Sequence, residues 1–199
     1  VMAKKLPKEV KLVLEHTPHQ IDYRREKNVS ASQILMYDEC PHKWKLSKID
    51  KLQIYTPSVH TVFGTAMHEV IQDWLHIMYN QSAKAANEVD LREQLKLKMR
   101  SVYEKERKKT KEVFTTADEL NSFFLDGLEI LSYLKKKRSA YFSMKNTYLA
   151  GIETDIVQEI RPNVFFKGYI DLVFYNKLAG TYTIIDIKTS TRGWSDYEK

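Results

Sequence analysis

The chain has 199 residues, 43% hydrophobic and 29% charged, a balance that excludes a disordered polymer and suits one globular core. Lysine and arginine outnumber aspartate and glutamate by 32 to 26, and a pI near 9.1 suits a polyanionic partner. One cysteine, Cys40, excludes an intrachain disulfide; with no signal-like N-terminus and no apolar run near the roughly 18 residues of a membrane span, the chain reads as cytoplasmic, with no membrane partner.

Residues 1–29 are polar and basic with scattered prolines, and read as an extended lead-in whose apolar knot is Val10, Leu12, Val13 and Leu14. Ser30-Ala31-Ser32 then caps a short helix carrying Ile34, Leu35 and Tyr37, followed by Cys40-Pro41. From Gly64 onward, Met67, Val70, Ile71, Trp74, Leu75 and Met78 recur at helical spacing, with His68 at the edge of the stripe. A second helix over 88–112 turns Leu91, Leu95, Met99, Val102 and Tyr103 inward and a row of cations, Lys108 and Lys109 among them, mostly outward. Thr116-Ala117-Asp118-Glu119 is a capping box for a third helix, with Leu120, Phe123, Phe124, Leu131 and Leu134 on its expected buried face. It ends in Lys135-Lys136-Lys137-Arg138. These basic runs are either solvated helix faces or phosphate contacts.

Tyr148–Ile160 reads as the first core strand. Glu153 lies inside it, either on an outward face with Asp155 and Glu159 or as part of an acidic site. Two β-branched and aromatic runs, Val164–Asn176 and Thr181–Ser190, then flank Lys177-Leu178-Ala179-Gly180, the pattern of a β-hairpin. With Asn176 facing Thr181, stepping outward sets Asp171 opposite Asp186. Facing Cβ atoms lie roughly 4.5–5.5 Å apart, and like charges so placed destabilise a sheet unless neutralised. A divalent cation is the simplest neutraliser. Period two gives Asp171, Ile184, Asp186 and Lys188 one face and Ile170, Leu172, Phe174, Ile185 and Ile187 the other. Both faces are otherwise apolar, so the hairpin is expected to be central and its charges buried, where they need partners or a metal.

Read together, Ser30 to Cys40-Pro41 and Trp44, the helix headed by Gly64-Thr-Ala-Met-His68, Gly168-Tyr-Ile-Asp171 and Ile184-Ile-Asp186-Ile-Lys188-Thr189 resemble the PD-(D/E)XK nuclease superfamily and, within it, the RecB-like exonuclease branch. The resemblance spans about residues 30–190 and implies an α/β, restriction-endonuclease-like core: a central mixed sheet with a catalytic hairpin, flanked by helices, plus a helical insertion. Residues 30–199 would then be a single nuclease domain, its helical part about 64–140 and its sheet about 147–190. The implied activity is hydrolysis of DNA phosphodiester bonds with Mg²⁺ or Mn²⁺, as an exonuclease or a single-strand or flap-processing enzyme of recombination, repair or replication. On that resemblance His68, Asp171, Asp186 and the Ile187 carbonyl are metal ligands. Glu153 matches the branch's acidic residue on the first core strand, and Lys188 would orient the attacking water. Lys108, Lys109, Lys135, Lys136, Lys137 and Arg138 would hold DNA, single-stranded or with ends or flaps, within a larger assembly.

The chemistry agrees with these roles: cleavage at neutral pH needs a hydroxide-like nucleophile and cover for charge growing on phosphorus oxygens, and a bound cation supplies both. The branch usually continues with a Gln-x-x-x-Tyr helix, absent from these residues, which implies a domain running past Lys199. One cysteine cannot form a four-cysteine iron–sulfur site, so Cys40 reads as a buried structural residue. Two competing readings are a catalytically inactive RecB-like DNA-binding or scaffolding module and a structural protein with salt-bridged carboxylates.

Overall fold

The computed structural model describes residues 6–142 and 144–189. The chain divides into two compact units: one contains residues up to Tyr55 with Tyr148–Asp186, the other Thr56–Thr147 with the residues from Ile187.

The first unit is a four-stranded mixed sheet organised on a single strand. β1 (Lys27–Val29), β2 (Thr147–Arg161) and β4 (Thr181–Ile185) all pair with β3 (Val164–Asn176). β1 runs parallel to the start of β3, Lys27 opposite Val164, and β4 runs antiparallel to its end. Residues 162–163 alone connect β2 to β3, and so short a connection serves only antiparallel neighbours. Helix α1 (Lys8–Leu14) covers one patch of sheet: Val10, fully buried, packs with Ala150, Val173 and Tyr175, and the Tyr182 hydroxyl donates to the Glu9 carbonyl over 3.0 Å. Residues 1–29 are therefore not simply an extended lead-in, since they supply α1 and β1.

After β1, Ser30 caps α2 (Ala31–Glu39) by accepting from Gln33 N at 3.4 Å, as its sequence position predicts. Cys40 then joins α2 to α3 (Pro41–Trp44), its sulfur accepting from Lys43 N at 3.4 Å. It is half-buried rather than buried, because it sits in a joint between two short surface helices. A π-helical turn, Lys45–Ile49, follows.

The second unit is helical. Its centre is α4 (Val59–Asn80), which starts at a Ser58 cap, before Gly64, and buries Met67, Val70, Ile71, Trp74, Leu75 and Met78, the stripe expected from spacing. α5 (Ala83–Glu88), α6 (Leu91–Thr110) and α7 (Ala117–Lys136) pack on α4, with α8 (Arg138–Tyr141) after them. The expected helix over 88–112 is α6, which starts at the Asp90 cap, and α5 is a further short helix before it. Trp74 donates its indole N–H to the Ala86 carbonyl at 3.0 Å, satisfying a polar group inside the core. The Thr116 capping box forms in both directions. Leu131 of α7 is buried, whereas Leu120, Phe123, Phe124 and Leu134 are only partly covered. The mixed α/β architecture agrees with the fold expected from the motifs. Among the described residues, no helix is long and apolar enough to cross a membrane.

Candidate active site

The hairpin is fixed at its turn. The Asn176 carboxamide oxygen accepts from Leu178 N and Ala179 N, both at 3.0 Å, and Gly180 N donates to the Asn176 carbonyl at 2.9 Å. A side chain that bonds its own backbone ahead of it fixes a reversal locally. The loop is residues 177–180, and the ladder runs Asn176 opposite Thr181 to Leu172 opposite Ile185. The ladder stops there, one position short of the Asp171 and Asp186 that the loop length sets opposite each other in the sequence.

The surroundings of this pair differ from expectation. β4 stops at Ile185 rather than near residue 190, and 186–189 form no regular element. Ser190 lies outside the described residues. Asp171 is half-buried and Asp186 and Lys188 are exposed, so the charges are not sunk in a central strand. They sit at the mouth of the hairpin, where β4 leaves the sheet. Leu172, Val173, Phe174 and Tyr175 are all buried, so the apolar character of both faces belongs to β3, and β4 is an open edge with Ile184 63% exposed.

A second contact joins two of the motif segments within the helical unit. A Cβ built on Gly64 would lie 3.2 Å from Thr189 Oγ1. The segment just after Lys188 therefore runs against the backbone of α4. A glycine inside a helix costs about 0.5–1 kcal/mol relative to alanine, and this close approach is what it permits. His68, half-buried, is one turn further on the same side of the helix.

Glu153 is exposed, and its φ of 46° is left-handed, which interrupts the alternation of β2. Near it, a Cβ on Gly151 would meet Thr154 Oγ1 at 2.1 Å. Apolar patterning over Tyr148–Ile160 predicts a regular strand, and a lone glycine within it is the local sign of an interruption. Glu153 lines a cavity of roughly 200 Å³ with His16, Thr154 and Asp155.

Residues 28–199 match the model of the PD-(D/E)XK nuclease superfamily. The chain belongs to this superfamily. None of the curated proteins compared matches it. Membership assigns the chain to the nucleases, which act on nucleic acids and generally use divalent metals.

The donor set around the hairpin fits that requirement of the PD-(D/E)XK superfamily. Asp171 and Asp186 carry hard oxygen donors, and Mg²⁺ characteristically takes one or two carboxylates and completes its shell with water and phosphate. Among the described residues, no three His, Cys, Asp or Glu side chains are gathered closely enough to hold a metal by themselves. His68 belongs to the helical unit and Asp171 and Asp186 to the sheet unit.

The cations proposed to hold nucleic acid fall into two groups. Lys109 pairs at 2.6 Å with Glu106, a buried carboxylate. Lys135 donates to the Asn87 carbonyl at 2.7 Å and Arg138 to the Ala83 carbonyl at 3.3 Å, so they tie the end of α7 and the start of α8 to α5. Those three serve the fold. Lys108, Lys136 and Lys137 are exposed, and Lys108 lines a shallow depression on α6 with Arg100 and Lys105.

Proposed function

We propose that this chain is a RecB-like deoxyribonuclease that hydrolyses phosphodiester bonds with Mg²⁺ or Mn²⁺, processing DNA ends, single strands or flaps during recombination, repair or replication. The observation that supports the reading is the hairpin ladder from Asn176–Thr181 to Leu172–Ile185, whose continuation by one position would set Asp171 opposite Asp186, with Lys188 two residues beyond. In this reading Asp171, Asp186 and the Ile187 carbonyl hold the cation, and His68 of the Gly64-x-x-x-His68 helix is its further ligand. A cation bound there supplies a water acidic enough to act at neutral pH and charge for the phosphate oxygens. Lys188 orients the attacking water and faces the scissile phosphate. Glu153 assists from the interruption of β2, whose strained backbone is of the kind found at functional sites. Lys108, Lys136 and Lys137 contact the DNA backbone.

Labelled single- and double-stranded DNA incubated with Mg²⁺ or Mn²⁺ tests the proposal. The wild-type chain should cleave, and Asp186→Ala and Lys188→Ala should each lower the rate on the order of 10²- to 10³-fold or more. Undiminished cleavage by either variant would exclude these roles. Salt-sensitive DNA binding without hydrolysis would instead assign a binding module with a relic site.

A further inference from the structure

In the helical unit α6 packs against α7, and the seam between them is closed at one end and open at the other. At the closed end Gly127 of α7 meets Leu95 of α6, where a built Cβ would lie 2.6 Å from the leucine side chain. Beyond that contact, toward Tyr103 and Leu120, the seam holds a cavity of about 340 Å³. Met99 and Tyr103 of α6 and Leu120 and Phe124 of α7 give it apolar walls.

The rim is cationic on one side. Arg92, Lys96 and Arg100 recur every four residues, which sets them in one row along α6. Arg92 lies over the Phe124 ring at 5.4 Å, and Lys96 and Arg100 line the cavity itself. The wall that α7 contributes, Leu120, Asn121 and Phe124, is uncharged. Lys96 pairs with Glu93 at 3.6 Å and Arg100 with Glu104 at 3.0 Å, all four side chains being exposed on the same helix. Exposed pairs of this kind contribute little, so carboxylates of a ligand can take their place. Eight cations against three carboxylates over Leu91–Thr110 give α6 most of the chain's formal charge of +6.

An apolar cavity beside a row of cations complements an anion with an apolar anchor. A nucleic-acid backbone would answer the cations and leave the aliphatic walls from Met99 and Leu120 uncovered. An aromatic side chain fills such a cavity, and aromatic anchors seated in pockets with a polar rim are where binding energy concentrates at protein interfaces. Carboxylates next to that anchor would meet Lys96 and Arg100, and the field of α6 would steer an acidic partner to the groove.

We propose that the α6–α7 groove is a docking site for an acidic segment of a partner protein, which seats an aromatic side chain in the cavity and its carboxylates on Lys96 and Arg100. The site is made by the helical unit alone and takes no residue from the proposed cleavage chemistry.

Fluorescence anisotropy tests it on the intact chain, with a fluorescein-labelled synthetic peptide in which aspartates flank a single tryptophan. The peptide should bind saturably, and more weakly as salt rises. Alanine in place of its tryptophan should weaken binding on the order of 30-fold, as for an interface anchor, and asparagines in place of its aspartates about tenfold. The double variant Lys96→Gln, Arg100→Gln should lose about tenfold. Asn121→Trp, which puts a ring at the mouth of the cavity, should lose on the order of 30-fold. Lys96, Arg100 and Asn121 are exposed, so these variants should melt as the wild type does. No saturable binding up to about 1 mM peptide, equal affinity for the alanine peptide, or wild-type affinity in Asn121→Trp would overturn the site. An oligothymidylate that displaces the peptide, and whose own binding Asn121→Trp abolishes, would give the groove to nucleic acid and overturn it as well.

Discussion

Glu119, at the start of α7, and Asp186, just past the end of β4, are both exposed carboxylates at the margin of a regular element. Glu119 accepts from Thr116 N and Thr115 Oγ1, each at 2.9 Å, and its negative charge answers donors supplied by adjacent residues. Asp186 follows the last residue of β4, one position past the final pair of the hairpin ladder, and in the proposed function it shares a cation with Asp171 of the other arm. The first arrangement is complete without any ligand and stabilises a helix start. The second, in the proposed function, holds a cation between two carboxylates, which are hard oxygen donors.

The largest expected difference between the two regions is in metal-linked stability. A ligand bound only by the folded state stabilises it by about 2.7 kcal/mol at a hundredfold excess over Kd, which for a chain of this size raises Tm by about 5–10 °C. Thermal melting of the wild type with and without Mn²⁺ should show a rise of that order, and Asp186→Asn should lose most of it. Glu119→Gln should keep it in full. A wild-type Tm that ignores Mn²⁺, or an Asp186→Asn variant that responds as the wild type does, would break the contrast.

A smaller effect distinguishes the capping box in the other direction. Thr116 accepts from Glu119 N at 3.1 Å, and removing such a cap typically costs about 1 kcal/mol. Urea unfolding of Thr116→Ala should report that loss with an unchanged slope, while its Mn²⁺ response and its cleavage rate match the wild type.

These contrasts also explain what the sequence could show. The Glu119 cap was legible because every participant lies within a few neighbouring positions. The hairpin ladder from Asn176–Thr181 to Leu172–Ile185 was legible because a short turn, held by Asn176, converts position in the chain into register. The stripe on α4 followed from its period. What escaped was set by tertiary surroundings. Whether β4 is central or an edge depends on what lies beside it, so the exposure of Asp186 was not readable. The strand β1 is three residues long and pairs with β3 across more than a hundred positions, and nothing local marks it. The second roles of Lys109, Lys135 and Arg138 depend on Glu106, Asn87 and Ala83, which a count of basic residues does not identify. The left-handed backbone at Glu153 has no mark in the residue itself, since glutamate rarely adopts it.

The smallest expected effect is the pH dependence of the cap. The Thr116 backbone N–H, and after it the Thr115 hydroxyl, hold the Glu119 carboxyl below its ordinary value of 4.5. A depressed folded pKa means that the folded state binds the proton less readily than the unfolded one, so the charged form favours folding. That contribution is fully present above about pH 4.5 and is lost as pH falls through the folded value. Glutamine in its place can still accept a hydrogen bond but does not titrate. The stability difference between wild type and Glu119→Gln should therefore be constant from neutrality down to about pH 5 and then shrink as the medium becomes more acid. Denaturant unfolding of the pair at a series of pH values measures it. A difference that stays flat through this window would show that the Thr116 and Thr115 donors do not discriminate the charged carboxylate, and the electrostatic distinction drawn between Glu119 and Asp186 would fail on its structural side.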